Sequence, residues 1–298
     1  MTKDTEHNKR KYVVIAADDL GRSPSVNTAI IESHKNGILT SASLMAGGQA
    51  FEEAVKIAVE CNSLSVGLHV TLCDGRAVLP PSEIPNLVDH EGNFEKSPAK
   101  AWVSYMRSGV LSQIDAEVEA QFDRIEGAGI HSTHVDGHHH LQMNPIIFEI
   151  ICKHASKRRI GWIRLPSEPL SVVLSSRSFS RGLMPLVEWL VFGMLKIYNL
   201  KIAMKYDMNV VCNSLGLSWT GSINEKSFLD LLDSAAGPFN EIFTHPDVST
   251  DSGRRELEAL TSKKMRDKLS FLGIELIGYR ELSKEGKVFD SAWERYER

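Results

Sequence analysis

The sequence is poor in three features: paired cysteines, long apolar runs and basic charge. Its four cysteines, Cys61, Cys73, Cys152 and Cys212, lie far apart and form no C-x-x-C pair, which is typical of reduced thiols rather than a disulfide framework. No stretch reaches the roughly eighteen uncharged apolar residues of a membrane-spanning helix. The formal net charge is −4, and without a basic surface we expect no nucleic-acid partner.

Length and composition predict one large domain. The 298 residues suffice for a sizeable core, and the sequence shows no internal repeat. We expect a single domain over 1–298, with 1–10 a flexible lead-in and 170–206 an apolar insertion. The polar N-terminus lacks the apolar segment of a secretion signal, so the predicted location is the cytoplasm. The pattern leaves open whether the protein forms homo-oligomers.

A run of histidines is the most unusual feature that the sequence does contain. Five of the eleven histidines fall between His131 and His140. A solvated loop has no need of so many imidazoles, and a packed core has difficulty hydrogen-bonding both nitrogens of each one. Expression tags lie at termini, whereas this run lies mid-chain. It therefore predicts a metal site or a place of proton transfer.

Short apolar runs alternate with amphipathic segments along the chain. Strands are predicted at 12–17, 41–46, 65–72, 131–135, 159–164, 209–213, 240–244 and 274–278, and helices at 25–36, 50–60, 112–127, 145–156, 227–234 and 254–272. Residues 74–98 are predicted to form a long loop. Alternating strands and helices indicate a parallel sheet with helices outside it. We expect an α/β fold, an irregular TIM-like (β/α) barrel; a doubly wound open sheet is the alternative.

Chemically active side chains fall where the predicted strands end. They are Asp18, Asp19, His69, His138, His140, Arg164 and His245. In a (β/α) barrel the C-terminal strand ends form one mouth, where active sites are built. These residues, far apart in sequence, are therefore expected to converge.

The residue types at this mouth suit a catalytic metal. Imidazole and carboxylate ligands without thiolate are typical of an open divalent site rather than a closed structural one. Asp18 and Asp19 could divide the work, one binding the metal and the other acting as general base on water. Turn and helix-capping roles are the alternative for this pair.

Four further residues are candidates for orienting the base, donating a proton or fixing the metal-binding histidines. Arg164 could orient the base carboxylate by a charge-assisted contact, or it could form only a surface ion pair. His245 could be the general acid, or a core histidine. His134 and Asp136 could fix the tautomers of the metal-binding histidines.

The segment 183–206 is strongly apolar but carries Lys196, Lys201 and Lys205. One interpretation is a barrel helix packed on the sheet. The other is a surface that touches a membrane or a lipid-linked substrate. The second interpretation predicts peripheral membrane contact.

Four motifs also resemble a known family. They are Ala17-Asp18-Asp19-Leu20-Gly21, Val66-Gly67-Leu68-His69-Val70-Thr71-Leu72, Thr133-His134-Val135-Asp136-Gly137-His138-His139-His140-Leu141 and Thr244-His245-Pro246. Together they resemble the YdjC-like carbohydrate deacetylases over roughly Tyr12 to Leu282. The stretch from Ser214 to Gly221 is similar to the hopanoid-biosynthesis-associated branch of that family.

The resemblance implies an irregular barrel of the glycoside hydrolase and deacetylase type. The implied reaction is hydrolysis of the N-acetyl group of an acetylated amino sugar, either a chito-oligosaccharide or, by the branch, an N-acetylglucosaminyl lipid. The sequence departs from the family at Leu20 and Gln142, where Phe and His are frequent. The departure at Gln142 puts any substrate or supporting role of that position in doubt.

The resemblance also implies roles for individual residues. One divalent metal ion would be bound by Asp19, His69 and His138. The two imidazole ligands themselves favour Zn²⁺, with Mg²⁺ as the alternative because it prefers more oxygen ligands. Asp18 would be the base and His245 the acid, with Arg164 bracing the base. His134, Asp136 and His140 would support the site or contact substrate. A barrel metallophosphoesterase and a non-catalytic metal-binding protein remain the alternatives.

Overall fold

β1 (Lys11–Leu20) is the central strand of the molecule, and its residues from Val13 onward are buried. The computed structural model describes residues 11–107, 109–176, 184–211, 213–235 and 238–285. The predicted lead-in 1–10 lies outside these ranges.

The other strands are short and all parallel to their neighbours. They are β2 (Ser41–Leu44), β3 (Ser65–Val70), β4 (Val135–Gly137), β5 (Asn213–Leu215), β6 (Phe239–Thr244) and β7 (Ile274–Leu276). The sheet order is β4-β3-β2-β1-β6-β5, and β7 pairs with the first residues of β1. Parallel pairing places the C-terminal ends of β1, β3, β4 and β6 on the same side of the sheet.

Single bridges continue the sheet beyond β4. Val135 bridges Ile163, and Trp162 bridges Asn209, which lies just before β5. The two edges are thereby linked, and the sheet curls into an irregular TIM-like (β/α) barrel. The predicted fold class is confirmed, and the alternative of an open doubly wound sheet is wrong.

Helices follow most of the strands and cover the outside of the sheet. They are α1 (Pro24–Asn36), α2 (Phe51–Glu60), α3 (Pro98–Ser104), α4 (Leu111–Gly127), α5 (Pro145–Lys157), α6 (Leu170–Ser175), α7 (Met184–Lys205), α8 (Glu225–Ser234), α9 (Asp251–Thr261), α10 (Lys263–Leu272) and α11 (Tyr279–Glu285). α1 begins where the Ser23 side chain accepts a hydrogen bond from Val26 N, with Pro24 in the first turn, as expected for a capped helix start.

Several predicted boundaries are wrong. The histidine-bearing strand is β4, four residues later than predicted, and a 3-10 turn (His138–Met143) follows it. Segment 159–164 contributes bridges rather than a strand, and the strand predicted at 209–213 is β5. The single helix predicted at 254–272 is two helices, because the Ser262 side chain caps the start of α10.

The predicted apolar insertion contains α6 and α7, while residues 177–183 between them lie outside the described ranges. α7 packs against α5 and α6. Within the described residues, no helix has the length and apolar character needed to cross a bilayer.

Candidate metal and catalytic site

Three predicted metal ligands converge at the C-terminal ends of strands. Asp19 lies near the end of β1, His69 lies in β3, and His138 begins the turn after β4. Asp19 Oδ1 lies 2.9 Å from His138 Nδ1 and 3.4 Å from His69 Nε2. The two ring nitrogens are 3.2 Å apart. Three potential ligand atoms therefore face one small volume.

The ligand atoms of this group fit a divalent cation. In a tetrahedral zinc site, ligand atoms at ~2.1 Å from the metal lie ~3.4 Å from one another, close to the spacing here. Asp19 Oδ1 is buried and faces both imidazole nitrogens. Asp19 also has a left-handed backbone, with φ of 67°, and such backbone strain is concentrated at functional sites.

Charge complementarity dominates the electrostatics of this group. Burial by itself would raise the pKa of Asp19, but the charges and hydrogen bonds of His138 and His69 lower it well below its ordinary value. Burial opposes protonation of His69, yet Asp136 and Asp19 raise its pKa to about 10. Asp19 likewise raises the pKa of His138 against the effect of burial. The carboxylates therefore favour positive charge at the point where these imidazoles meet.

A chain of polar contacts fixes the His69 ring from behind. Its Nδ1 lies 2.7 Å from Asp136 Oδ1. Ser43 Oγ donates to Asp136 Oδ2 at 2.7 Å and lies 3.1 Å from His134 Nε2. Asp136 therefore directs His69 Nε2 towards Asp19, as carboxylates commonly orient metal-binding histidines. His134 is fully buried and belongs to this support rather than to the cleft.

Arg164 pairs with three carboxylates, including that of the base candidate Asp18. Its Nη1 lies 2.6 Å from Asp18 Oδ2 and 2.8 Å from Asp136 Oδ2. On its other side, Arg164 Nε donates to both carboxylate oxygens of Glu241 at 3.0 Å. Arg164 is fully buried, so the surface ion pair considered from the sequence is wrong. Asp18 Oδ1 is buried without a hydrogen-bond partner among the described residues.

His245 lies beyond the end of β6, beside Asp18. Its Nε2 is 3.7 Å from Asp18 Oδ2, and its side chain is 29% exposed, so it is not a core histidine. The carboxylate of the buried Glu256 accepts a hydrogen bond from His245 N at 2.6 Å. This contact fixes the backbone of the loop that carries the imidazole.

These groups open into one cleft of about 530 Å³. Asp18, Asp19, His69, His138, His140 and His245 line it from the barrel end, and residues of α3 and α7 line its sides. Burial, together with the charges of Arg164 and His245, lowers the pKa of His140 well below its ordinary value. His140 therefore presents a neutral imidazole to the cleft.

The structure brings every predicted site residue to this region, and it adds residues that the sequence did not indicate. Arg22 Nη1 lies 3.0 Å from Asp19 Oδ2, and its Nη2 lies 2.9 Å from Asp74 Oδ2. Ser43 and Glu241 complete the buried contacts of Asp136 and Arg164. Asp74 lies four residues beyond the end of β3, and this position near a strand end was the one signal in the sequence that could have indicated it. Ser43 and Glu241 lie inside strands, and nothing in the sequence marked either of them as a site residue.

Comparison with known proteins identifies related chains. The model of the family described as YdjC-like protein matches residues 12–270. A carbohydrate deacetylase from Brevibacillus brevis is 30% identical over 284 residues, covering 91% of this chain and 99% of that protein. A chitooligosaccharide deacetylase from Salmonella typhimurium is 34% identical over 155 residues, covering 51% of this chain and 58% of that protein.

A solved structure extends the similarity to the fold. A proposed cellobiose-phosphate cleavage protein from Enterococcus faecalis V583 superposes with a TM-score of 0.72 at 26% sequence identity. The match covers 92% of this chain and 99% of that one.

Proposed function

Because the chain belongs to the YdjC-like protein family, we propose that it is a carbohydrate N-deacetylase that hydrolyses the N-acetyl group of an acetylated amino sugar. The observation that carries the proposal is the grouping of Asp19, His69 and His138 beside Asp18 and His245 in one cleft. A metal site, a base and an acid within one cleft are the parts that amide hydrolysis requires. The full-length similarity to a carbohydrate deacetylase supports the same assignment.

Asp19, His69 and His138 would hold one divalent metal ion. When bound, the ion would supply Lewis acidity to the acetyl carbonyl and to water. Two imidazoles and one carboxylate favour Zn²⁺, whereas Mg²⁺ usually takes more oxygen ligands and is the alternative.

Asp18 would be the general base. Arg164 holds its Oδ2 at 2.6 Å, which leaves the unpartnered Oδ1 free to accept a proton from the attacking water. The same contact fixes the direction of the carboxylate. Asp18 therefore orients and deprotonates water, while Asp19 beside it serves the cation.

His245 would be the general acid. It lines the cleft next to Asp18 and is partly exposed, so a protonated imidazole there can reach a departing group. Cleavage of the amide bond requires a proton on the sugar nitrogen, because an amine leaves and an amide anion does not. The neutral ring of His140 would donate a hydrogen bond to the substrate without adding charge.

Two sources of the acetylated amino sugar are compatible with the cleft. One is a chito-oligosaccharide, the substrate class in the name of the Salmonella relative. The other is an N-acetylglucosaminyl lipid, such as a hopanoid glycolipid, which the similarity at 214–221 and the apolar segment 183–206 favour. Both sources present the same N-acetyl group to the site.

The test is acetate release from chito-oligosaccharides and from N-acetylglucosaminyl lipids, before and after treatment with a chelator. We expect release from at least one substrate, loss with chelator, and recovery with Zn²⁺ or Mg²⁺. If no substrate releases acetate with any divalent metal, the deacetylase proposal is wrong. Release of phosphate from phosphoesters instead would identify a metallophosphoesterase.

Asp18→Asn and Asp19→Asn form a matched pair for assigning the two roles. Asp18→Asn should retain bound metal and lose about 10²–10⁴-fold in turnover, the usual contribution of a general base. Asp19→Asn should bind metal more weakly. Metal content by elemental analysis, measured beside acetate release, separates the two. Loss of metal from Asp18→Asn would instead make Asp18 a ligand.

A further inference from the structure

α7 exposes an apolar stripe to solvent. The stripe contains Val187, Leu190, Val191, Met194, Ile197, Tyr198 and Met204. With 3.6 residues per turn, these positions fall on one side of the helix. A surface helix of a globular protein normally turns its apolar face inward and a polar face outward. α7 is apolar on both faces.

Exposed apolar side chains are concentrated in this part of the surface. Sixteen large hydrophobic side chains are exposed among the described residues, and nine of them lie on α6 and α7. Leu170 and Leu174 are exposed on α6, which is in contact with α7. Such a concentration is typical of an interaction surface, whereas scattered single residues are not.

The apolar stripe lies on the helix that forms one wall of the candidate catalytic cleft. Glu188 and Phe192 of α7 line that cleft, and Trp102 of α3 lines it as well. A second exposed apolar group lies at the end of α3, with Val103 in the helix at 62% and Met106 just after it at 67%. α3 and α7 both pack on the turn that carries His138. Both helices that line the cleft therefore also expose apolar side chains to solvent.

Exposed cations accompany the apolar side chains on both helices. Lys100 and Arg107 lie in and just after α3, and Lys201 lies within the stripe on α7. A two-fold contact of this surface with a second copy would bring like charges together. Anionic lipid headgroups would instead neutralise them, while the apolar side chains enter the acyl boundary.

We propose that the α3 and α6–α7 surface docks on an anionic lipid bilayer, with the mouth of the cleft facing the membrane. The docking itself requires no catalysis. Its consequence rests on the proposed function: the N-acetylated sugar headgroup of a membrane-embedded glycolipid would enter the cleft while its lipid stays in the bilayer.

The test is co-sedimentation of the full chain with vesicles of phosphatidylcholine, with and without phosphatidylglycerol. We expect binding to the anionic vesicles that weakens in high salt. The double variant Leu190→Glu/Met194→Glu should bind these vesicles more than about tenfold more weakly, since it removes apolar contact and adds negative charge. Leu190 and Met194 are more than half exposed, at 56% and 58%, so the fold should tolerate both substitutions.

Phe271→Glu is the matched control. Phe271 is 83% exposed on α10, outside the proposed surface, and this variant should bind vesicles as the parent does. Absence of vesicle binding by the parent, or equal binding by all three proteins, would overturn the proposal. So would a parent dimer in light scattering that the double variant converts to a monomer without any vesicle binding.

The two proposals can fail separately. Leu190 and Met194 do not line the cleft, so the double variant should deacetylate soluble chito-oligosaccharides like the parent. Vesicle binding without acetate release would leave the docking surface standing and remove the enzyme proposal. Acetate release without vesicle binding would support the enzyme proposal and overturn the docking surface.

Discussion

At the scale of single residues, His134 shows how burial sets protonation next to the candidate site. Its ring is fully buried, stacks on Tyr279 with ring centroids 4.1 Å apart and lies within hydrogen-bond distance of Ser43. Burial, with the charges of Arg164 and His69, lowers the pKa of His134 to about 3 against the opposing charge of Asp136. The folded chain therefore keeps this imidazole neutral in mild acid.

This shift predicts a pH dependence of stability. In the unfolded chain His134 takes up a proton near pH 6.5, but in the folded chain only near pH 3. The stabilisation that comes from this difference is therefore fully present above about pH 6.5. Below that, the free energy of unfolding falls by up to about 1.4 kcal/mol per pH unit as the pH approaches 3. His134→Asn should lower stability at pH 7 but make it fall less steeply between pH 6.5 and 4.5.

Denaturant unfolding of both proteins across that pH range measures the difference in slope. All other titrating groups are common to the two, so they cancel in the comparison. Parallel stability curves would show that His134 is protonated in the folded chain.

Residue types and their positions predicted the reacting groups but not their buried partners. Asp18, Asp19, His69, His138 and His245 lie at or just after the C-terminal ends of strands, and these ends meet in a parallel sheet. Glu241 and Ser43 lie inside apolar strands, and their partners Arg164 and Asp136 are distant in sequence. Such contacts depend on which strands become neighbours, and a hydrophobic pattern does not encode that order.

At the scale of elements, the close approach of β3 and the segment entering β4 depends on Gly67. A Cβ at this position would lie 2.5 Å from the His134 ring and 2.5 Å from the His134 carbonyl oxygen. The backbone oxygen cannot move without disturbing the hydrogen bond that it accepts from Leu68 N. A glycine here therefore lets His134 and the following strand pack directly onto β3.

Gly67→Ala should destabilise the protein by about 1–3 kcal/mol, the usual cost of overpacking a core. It should also reduce metal binding, because β3 carries His69 and β4 carries Asp136. Thermal unfolding and metal titration measure the two effects. Gly127→Ala is the matched control: it ends α4 with nothing within 4 Å of the added Cβ, so it should be neutral or slightly stabilising. Equal behaviour of the two variants would contradict the packing role of Gly67.

Element types were predictable, but the short strands were not placed accurately. β4 has three residues, and the turn after it contains His139 and His140 with positive φ. The sequence predicts a strand at 131–135, yet pairing to β3 begins only at Val135. Periodicity is a weak guide over three residues, whereas the long helix α4 was predicted to within one residue.

At the scale of the whole molecule, barrel closure relies on single bridges rather than on strands. Val135–Ile163 and Trp162–Asn209 connect the edges, and no sequence pattern marks an isolated bridge. The candidate ligands come from β1, β3 and the turn after β4, which are distant along the chain. A bound cation would therefore connect three segments only when the barrel is folded, and its binding free energy would add to stability.

Metal removal should consequently weaken the whole fold. With Zn²⁺ at about 100 times its dissociation constant, the free energy of unfolding should rise by about 2.7 kcal/mol, and a chelator should remove the gain. The denaturant slope should stay the same, because the surface exposed on unfolding is unchanged. Equilibrium unfolding with added Zn²⁺, and again with chelator, measures both quantities.

Asp19→Asn keeps a residue that tolerates the left-handed φ of 67° but removes the charge. This variant should therefore lose most of the gain in the free energy of unfolding at the same Zn²⁺ concentration. Asp18→Asn should retain it, and an undiminished gain in Asp19→Asn would place the stabilising metal elsewhere.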